Sequence, residues 1–352
     1  MRFLALLALA ASALAQSPAP ARPSFAEWLA GVRAEALARG IKADIVDAAL
    51  GSVEEPMPVV LERDRAQAET VFSLEKYIAR RLTAKLVAAG REHVQRDKEL
   101  LDEVSATYGV PASIIVGIWG METNYGRFSG VRPIVTALAT LAWDPRRSAF
   151  FRGELFDALE ILNRGDIDLP RLRGSWAGAM GQAQFMPSSY LKFAEDYDGD
   201  GRRDIWSSHA DIFASIANYL KGHGWVEGQG WGREVKVSRE AARKIAAEVA
   251  RRAGACRATR DMTVALPAKE WRALGVRLAN SRPLPDGLPR AAMVAGTSRY
   301  FLVSGNYDAI LEYNCAHAYA LSVGLLADRL ARKAAPPRPP SKKRSARRPP
   351  KL

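Results

Sequence analysis

The chain has 352 residues, of which 48% are hydrophobic and 25% charged, and it carries a formal net charge of +13. This composition excludes a largely disordered protein and supplies enough apolar side chains for one large domain or two modest ones. Its two cysteines and four histidines form no HExxH or CxxC spacing, which argues against a zinc site or a thiol enzyme.

The first residues, MRFLALLALAASALAQ, predict a cleavable secretory signal peptide over residues 1–15. One Arg precedes a run of about ten apolar residues, and small residues before Gln16 suit a cleavage site. No later stretch reaches the roughly 20 apolar residues that a membrane-spanning helix needs, and no cysteine follows the signal to accept a lipid. We therefore expect a soluble, exported protein in the periplasm.

Apolar residues recur at helical spacing from Phe25 to about Ala89, which predicts a helical N-terminal portion. The stretch REHVQRDKELLDEVSATYG predicts one amphipathic helix that ends at Gly109, because glycine readily takes the left-handed conformation after a helix. Pro111 suits the first turn of the next helix, where its missing N–H group costs nothing.

That next helix carries a carboxyl group, Glu122, at the end of an apolar run. Its spacing places Glu122 on the same stripe as Ile115, Ile118 and Trp119, so the side chain should face the core. A frayed helix end would leave the carboxylate in water. Burial would instead raise its pKa and make it a proton donor near neutral pH, as the cleavage of a glycosidic bond requires.

The stretch DYDGDGRRDIWSSHAD, residues 196–211, is an acidic loop between two helical phrases. Acids and a glycine occupy EF-hand loop positions one, three, five, six and nine: Asp196, Asp198, Asp200, Gly201 and Asp204. Arg202 would offer its backbone carbonyl at position seven, but the twelfth position is Ser207 and not the usual bidentate Glu. Two alternatives stay open, a structural Ca²⁺ site and a metal-free turn whose carboxylates are offset by Arg202 and Arg203.

Between about residues 228 and 296, three β-favouring runs, REVKVS, MTVAL and AAMVAG, accompany one clear helix, EAARKIAAEVARRAG. This pattern predicts a small α+β subdomain inserted in a mainly α protein. The chain then returns to helix in NYDAILEYNCAHAYALSVGLLADRLAR. Cys256 and Cys315 would form one disulfide if the fold brings their Cα atoms close together, which the sequence leaves open.

The net charge is concentrated at the C-terminus. Residues 333–352, KAAPPRPPSKKRSARRPPKL, hold eight Lys or Arg and no acid, so with Arg2 they account for nine of the thirteen net charges. We therefore expect no nucleic-acid partner. A disordered, extended tail is predicted, either as a solvated end of the chain or as an electrostatic contact with an anionic envelope polymer or membrane surface.

Five phrases together resemble one enzyme family. WGMETNYGRFSG, SWAGAMGQAQFMPSSY, DGDGRRDIW, SIANYLKGHGW and GNYDAILEYN match, in order and approximate spacing, the lytic murein transglycosylases of the membrane-bound-transglycosylase-B type. The resemblance covers nearly the whole chain over residues 16–332. It implies a lysozyme-like helical core with a groove for peptidoglycan glycan strands, no cofactor for the chemistry, and a monomer.

The resemblance also implies the reaction and its residues. Glu122 would act first as acid and then as base in cleaving the β-1,4 bond between N-acetylmuramic acid and N-acetylglucosamine, leaving a 1,6-anhydro sugar. Sugar contacts would come from Ser175, Gln184, Tyr219, Tyr313, Asn314, Tyr319 and, on a looser match, Tyr77. The family closes its acidic loop with a later acid, which Asp211 matches, so the metal ligands would be Asp196, Asp198, Asp200, Arg202 and Asp211.

Three other functions are compatible with the sequence. A catalytically silent peptidoglycan-binding module would use the groove without chemistry, although the presence of Glu122 argues against it. A hydrolytic muramidase would need a second carboxylate, for which Asp144, Glu154, Asp157 and Glu160 are near enough in sequence, although we expect surface or helix-cap roles for them. A Ca²⁺-regulated binding protein would change conformation when the ion is removed.

Overall fold

The structure is a computed structural model that describes residues 23–66 and 72–332. The predicted signal peptide, residues 1–15, and the predicted basic tail, residues 333–352, lie outside the described residues. Within the described ranges the regular structure comprises sixteen α-helices, one 3₁₀ helix (Leu169–Arg171) and six short β-strands. The mainly α prediction is confirmed.

Six helices lead to the helix that carries Glu122: α1 (Phe25–Ala38), α2 (Ala43–Gly51), α3 (Pro58–Ala66), α4 (Leu74–Arg81), α5 (Ala84–Arg96) and α6 (Lys98–Tyr108). The prediction of one continuous amphipathic helix up to Gly109 is wrong, because the chain breaks at Asp97. This residue has φ −99° and ψ 24°, and its carboxylate accepts hydrogen bonds from the Arg96 and His209 side chains. Gly109 ends α6 in the left-handed conformation, as predicted.

Helix α7 (Ala112–Thr123) runs through the centre of the main core. Every residue from Ile114 to Met121 is buried, and so is Thr123, which means that the helix is apolar on all sides and not on one stripe. Such a helix has no solvent face. It packs against α5, α6, α11 and α16, and Gly117 allows the α16 backbone to approach, since a Cβ there would lie 3.3 Å from the Val323 carbonyl oxygen.

The remaining elements around α7 are β1 (Arg132–Pro133), α8 (Ile134–Trp143), α9 (Ser148–Arg164), β2 (Arg173–Gly174), α10 (Pro187–Phe193) and α11 (His209–Gly222). Strands β1 and β2 pair antiparallel, with Arg132 opposite Gly174. The approach is close just before this pair: Gly130 has φ +93°, and a Cβ on it would lie 2.1 Å from the Gly174 carbonyl. Only glycine readily adopts this positive φ and also leaves room for the Gly174 carbonyl group.

The inserted subdomain contains β3 (Gly232–Lys236), α12 (Arg239–Glu248), α13 (Arg257–Asp261), α14 (Ala268–Ala273), β4 (Arg277–Leu278), β5 (Ala292–Ala295) and β6 (Tyr300–Val303). Its antiparallel sheet has the order β4-β3-β6-β5 and a separate apolar core around Trp271. The run MTVAL is not a strand, because only isolated bridges form at Thr263 and Leu266. Strand β6 was not predicted and extends the sheet beyond residue 296.

Two further helices return to the main core, α15 (Gly305–Tyr313) and α16 (His317–Ala331). The predicted return to helix is confirmed, as two helices that are separated where the chain takes extended dihedral angles at Asn314 and Ala316. Cys315 lies in this break and forms a disulfide with Cys256, with a Cα–Cα distance of 6.0 Å. The bond connects the subdomain to the loop between α15 and α16.

Across residues 23–66 and 72–332, no single helix has both the length and the hydropathy to cross a membrane, and the one pair that meets these criteria jointly, Lys98–Tyr108 with Ala112–Thr123, is bent by 108°.

Candidate active site

Glu122 is the next-to-last residue of α7, at the point where the buried helix reaches the surface of the core. Its side chain keeps some solvent contact, but dense protein surrounds it. Burial raises the pKa of the Glu122 carboxyl group from 4.5 to about 7, and the nearby Tyr319 hydroxyl and Arg81 charge offset only part of this rise. A carboxyl group with this pKa exchanges its proton near neutral pH, as a general acid and base must.

Three tyrosines from three helices surround this carboxyl group. Tyr319 of α16 is buried, and its hydroxyl lies near Glu122. The geometry falls short of a full hydrogen bond, and the hydroxyl has no other partner in the described ranges. Tyr313 and Tyr219 pack with ring centroids 4.6 Å apart. Burial first, and then the charge of Glu122, raise the pKa of Tyr313, which keeps its hydroxyl protonated.

The hydroxyl groups of two of these tyrosines are already engaged with the protein. Tyr313 donates to the Ala183 carbonyl oxygen at 2.7 Å, and Tyr219 donates to the Glu312 carbonyl oxygen at 2.8 Å. Tyr219 is only 7% exposed. These contacts fasten α11 and α15 to the loop between β2 and α10, so both tyrosines also hold the walls of the site together.

The other predicted sugar-contacting residues lie on segments that adjoin these tyrosines or the turn after α7. Ser175 accepts hydrogen bonds through Oγ from the backbone N–H groups of Ala177 and Ala179, which shapes the turn after β2. Gln184 donates to the Ser129 and Gly181 carbonyl oxygens, and Asn314 is exposed at the end of α15. Tyr77 of α4 interacts electrostatically with Tyr319, which brings it to the same site.

Unusual backbone conformations are concentrated here. Only four non-glycine residues of the described chain have positive φ, and three of them belong to this site: Asn124 at 51°, Tyr125 at 61° and Gln184 at 52°. A bulky residue such as Tyr125 pays a steric cost in this conformation. Its burial and the hydrogen bond from its hydroxyl to the Leu86 carbonyl oxygen hold it there. Strain of this kind is typical of functional sites, where the surrounding fold maintains it.

Two residues that the sequence analysis did not single out support the site. Arg81 donates from Nη2 to the Met121 carbonyl oxygen and is the cation that acts on Glu122. Gln182 accepts from Trp119 Nε1 at 2.8 Å and donates to the Trp206 carbonyl oxygen at 2.7 Å, and so joins α7 to two loops. The sequence offered one sign of Arg81, which lies four residues after Tyr77 on the same helical face.

No second carboxylate is among the groups that shift the Glu122 pKa. Glu154 is buried on α9, where it accepts hydrogen bonds from the Ser188 backbone N–H and hydroxyl and caps α10. Asp144 follows α8 and binds Arg146, and Glu160 binds Arg164 on the same helix. Desolvation raises the Asp157 pKa.

The acidic loop joins α10 to α11 and brings three carboxylates together. Asp196, Asp198 and Asp211 each offer an oxygen within 4.8 Å of the others. Burial, with the charge of Asp198 as a smaller contribution, raises the Asp211 pKa to about 6. Asp196 Oδ1 is buried and has no hydrogen-bond partner within the described part of the chain. The Asp200 carboxylate accepts from the Arg202 backbone N–H at 2.8 Å. Oxygen ligands with an unpartnered buried atom suit Ca²⁺.

Comparison with known proteins places this geometry in context. The family profile described as transglycosylase SLT domain matches residues 24–328. Membrane-bound lytic murein transglycosylase B of Escherichia coli (strain K12) is 48% identical over 133 residues, which are 37% of this chain and 36% of that protein. The match thus spans about a third of that relative's length.

Two solved structures are similar over most of the chain. SltB3 from Pseudomonas aeruginosa, in complex with NAG-anhNAM-pentapeptide, superposes with a TM-score of 0.78 at 40% identity and covers 87% of this chain and 79% of that chain. The Escherichia coli lytic transglycosylase Slt35, in complex with calcium, superposes with a TM-score of 0.71 at 29% identity and covers 86% of this chain and 92% of that chain.

Proposed function

This chain belongs to the transglycosylase SLT family, and from that membership and the geometry around Glu122 we propose that it is a lytic transglycosylase. It cleaves the β-1,4 bond between N-acetylmuramic acid and N-acetylglucosamine in peptidoglycan and leaves 1,6-anhydromuramic acid ends. The observation that carries this proposal is the Glu122 carboxyl group, whose burial raises its pKa to about 7 among three tyrosines.

Glu122 serves as the single acid and base. It first protonates the departing glycosidic oxygen, and the resulting carboxylate then takes the proton of the C6 hydroxyl group as this hydroxyl attacks C1 of the same sugar. The nucleophile is already part of the substrate, which raises its effective concentration and removes the need to position a water molecule. The Tyr319 hydroxyl, which has no other partner in the described ranges, is suited to stabilise the carboxylate form.

The neighbouring polar groups hold the sugars. Asn314 is exposed and free to contact N-acetyl groups, while Ser175 and Gln184 shape the loop between β2 and α10 through their contacts with backbone groups. Tyr77 and Tyr313 are partly exposed and supply aromatic surface on which sugar rings stack, while the buried Tyr219 and Tyr319 pack behind the site. Because the Tyr313 hydroxyl already binds a backbone carbonyl, we assign Tyr313 ring contacts and not hydroxyl contacts.

Product analysis tests this function. Purified sacculi digested by the chain should release muropeptides whose muramic acid ends are lighter by one water molecule than hydrolysed ends, because the internal hydroxyl has replaced water. Mass spectrometry of the released fragments distinguishes the two. Hydrolysed ends would instead identify a muramidase, and strand binding without any release would identify a silent binding module.

The acidic loop is proposed as a structural Ca²⁺ site that fastens α10 to α11 beside the active site. Asp196, Asp198 and Asp211 would contribute carboxylate oxygens, with Asp200 and the Arg202 carbonyl completing the set. The ion would take no part in the reaction.

Ca²⁺ is expected to raise the melting temperature. If the ion binds only the folded protein, a concentration of 100 times Kd adds about 2.7 kcal/mol to the free energy of unfolding, and a chelator removes it. Asp211→Asn should abolish the Ca²⁺-dependent shift, whereas Asp102→Asn, which removes an exposed charge on α6, should keep it. Thermal unfolding with Ca²⁺ and with chelator measures both. A wild-type curve that Ca²⁺ leaves unchanged would favour the metal-free turn.

For location and assembly we propose export to the periplasm through residues 1–15 and action there as a monomer. The basic segment 333–352 would attach to an anionic envelope polymer or membrane surface by charge.

A further inference from the structure

The helix that carries Glu122 ends in two residues of unfavourable backbone conformation. Thr123 is its last residue, and Asn124 and Tyr125 follow with φ of 51° and 61°. Positive φ is costly for a residue with a side chain, above all for a bulky one, and persists only where the surrounding structure holds it. Glu122 lies in the last turn before this pair. The groups that hold the turn therefore also fix the position of the Glu122 carboxyl group.

The side chain of Gln182, from the loop between β2 and α10, lies against this turn. Its Oε1 atom accepts a hydrogen bond from Trp119 Nε1 at 2.8 Å, and its Nε2 atom donates to the Trp206 carbonyl oxygen at 2.7 Å. Trp119 is fully buried on α7, one turn before Thr123. Gly126 leaves room for the amide, because a Cβ there would lie 2.2 Å from Gln182 Oε1.

The backbone of Gln182 binds the same two neighbours. Its carbonyl oxygen accepts from the Thr123 hydroxyl at 3.1 Å, and its N–H donates to the Ile205 carbonyl oxygen at 2.8 Å. The Thr123 hydroxyl in turn accepts from the Gly126 N–H at 3.0 Å. Gln182 is thus bonded through both its side chain and its backbone to the end of α7 on one side and to the acidic loop on the other.

The amide of Gln182 matters because Trp119 has one polar atom and no alternative for it. The indole Nε1–H group can only donate, and within residues 23–66 and 72–332 its acceptor is Gln182 Oε1. A buried donor that loses its acceptor is costly, so α7 would shift to find another partner or admit water. Either change would displace the last turn of α7 and the Glu122 side chain with it.

We propose that Gln182 is a positioning residue for the reaction: it clamps the end of α7 to the acidic loop, and so keeps the Glu122 carboxyl group in place and shielded from water. This inference rests on the proposed function and adds to it a residue that acts through another. Gln182 fixes the acid without touching the sugar. The effect on rate is expected to be large, since a displacement of about 1 Å can cost about a hundredfold.

The test compares Gln182→Met with a matched control, Asn306→Leu. Methionine keeps the length of the glutamine side chain and removes both amide hydrogen bonds. The buried Asn306 amide also accepts from one backbone N–H and donates to backbone carbonyls, here of Val226 and Gln229. Its position is the first turn of α15, at the opposite end of that helix from Tyr313. Each substitution is made in the full chain and assayed on purified sacculi.

Both variants should melt at lower temperature than the wild type, but only Gln182→Met should change the reaction. Its kcat for anhydro-product release, per folded molecule, should fall by about tenfold to a hundredfold. Its KM should change little, because the sugar-contacting residues are unaltered. Asn306→Leu should keep the wild-type kcat and KM. Gln182→Glu, which retains an oxygen to accept from Trp119, should lose less kcat than Gln182→Met.

The pH profile gives a second result that loss of stability alone would not produce. Water that reaches the Glu122 carboxyl group lowers its pKa, so turnover of Gln182→Met should fall at lower pH than turnover of the wild type, for which the fall is expected at about 7. The other titratable groups that face Glu122 are unchanged in every variant: Arg81 of α4, Tyr219 of α11, Tyr313 of α15 and Tyr319 of α16.

Wild-type kcat and an unmoved pH profile in Gln182→Met would overturn the proposal, and so would an equal fall of kcat in Asn306→Leu. If Gln182→Met does not fold, Thr123→Val takes its place. This variant removes only the hydroxyl group that binds the Gln182 carbonyl oxygen, and it should show the same changes to a smaller extent.

Failure of the proposed function looks different, since the wild type would then release no anhydro product. The role of Gln182 is still decided by thermal unfolding at pH 8, where Glu122→Gln should raise the melting temperature by removing a buried charge. This rise should be smaller when Gln182→Met is also present, because the carboxylate is then hydrated. Equal rises with and without Gln182→Met would contradict the positioning role.

Discussion

Glu122→Gln is expected to lower the rate of anhydro-product release by on the order of a thousandfold, because Gln can neither give the proton to the leaving oxygen nor take one from the attacking hydroxyl. Binding of glycan strands should remain. In the wild type the rate should fall as the pH rises through about 7, the pKa of the buried carboxyl group, since only the protonated form can start the reaction. Product release from sacculi, measured across pH, gives both results.

The same substitution should stabilise the protein in alkaline solution. The pKa of the Glu122 carboxyl group in the folded protein, about 7, lies above its ordinary value of 4.5. Protonation of this group therefore contributes fully to the free energy of unfolding below pH 4.5, and this contribution is lost as the pH rises through 7. Gln does not ionise, so the variant does not lose this contribution. Its free energy of unfolding should exceed that of the wild type by up to about 3 kcal/mol near pH 8 and by little near pH 4. Thermal unfolding at the two pH values measures the gain.

Glu154→Gln is the matched control, because Glu154 is also buried and burial raises its pKa as well. It should lose stability with its contacts to Ser188 and keep its turnover per folded molecule. Turnover that survives in Glu122→Gln would remove the proposed mechanism. A Glu122→Gln protein that is less stable at both pH values would show that the carboxylate holds the fold and is not a strained catalytic group.

Removal of the disulfide should cost about 4 kcal/mol in the free energy of unfolding. Cys256 and Cys315 are 59 residues apart, and breaking their bond restores the conformational freedom of that loop to the unfolded chain. The double variant Cys256→Ala/Cys315→Ala should therefore melt at lower temperature than the oxidised wild type. Denaturant unfolding of the two proteins measures the difference.

A reductant provides the control for this measurement. It should destabilise the wild type by a similar amount and leave the double variant unchanged, because the variant has no bond to lose. We also expect KM to rise, since Cys315 follows Tyr313 and Asn314 at the edge of the active site. Identical unfolding curves for oxidised wild type and double variant would contradict the stabilising role.

Several features of the fold were predictable because they depend on a few adjacent residues. Gly109 ends α6 in the left-handed conformation, the run REVKVS overlaps all of β3 but its first residue, and the run AAMVAG contains β5. The break at Asp97 was not predictable in this way, because the apolar spacing continues across it and the partners of Asp97 include His209 from a distant helix. Strand β6 lies beyond residue 296, where the sequence pattern placed the end of the subdomain.

The features of the site also divide into those that neighbouring residues predict and those that depend on distant segments. The phrases around Glu122 identified the family and predicted the catalytic residue, and the matching phrases further along the chain predicted the tyrosines. They could not establish that the carboxyl group is desolvated, since the residues around it come from α4, α11, α15 and α16. Arg81 was missed for this reason, because its significance comes from its contact with Met121 forty residues away.

The amino-acid sequence by itself determined the helical class and the family and predicted the acid, because propensity, caps and family phrases are properties of neighbouring residues. Only the tertiary structure decided the Glu122 pKa and the Cys256–Cys315 bond. Burial and bond distance depend on which distant segments pack together, and packing is a property of the whole chain.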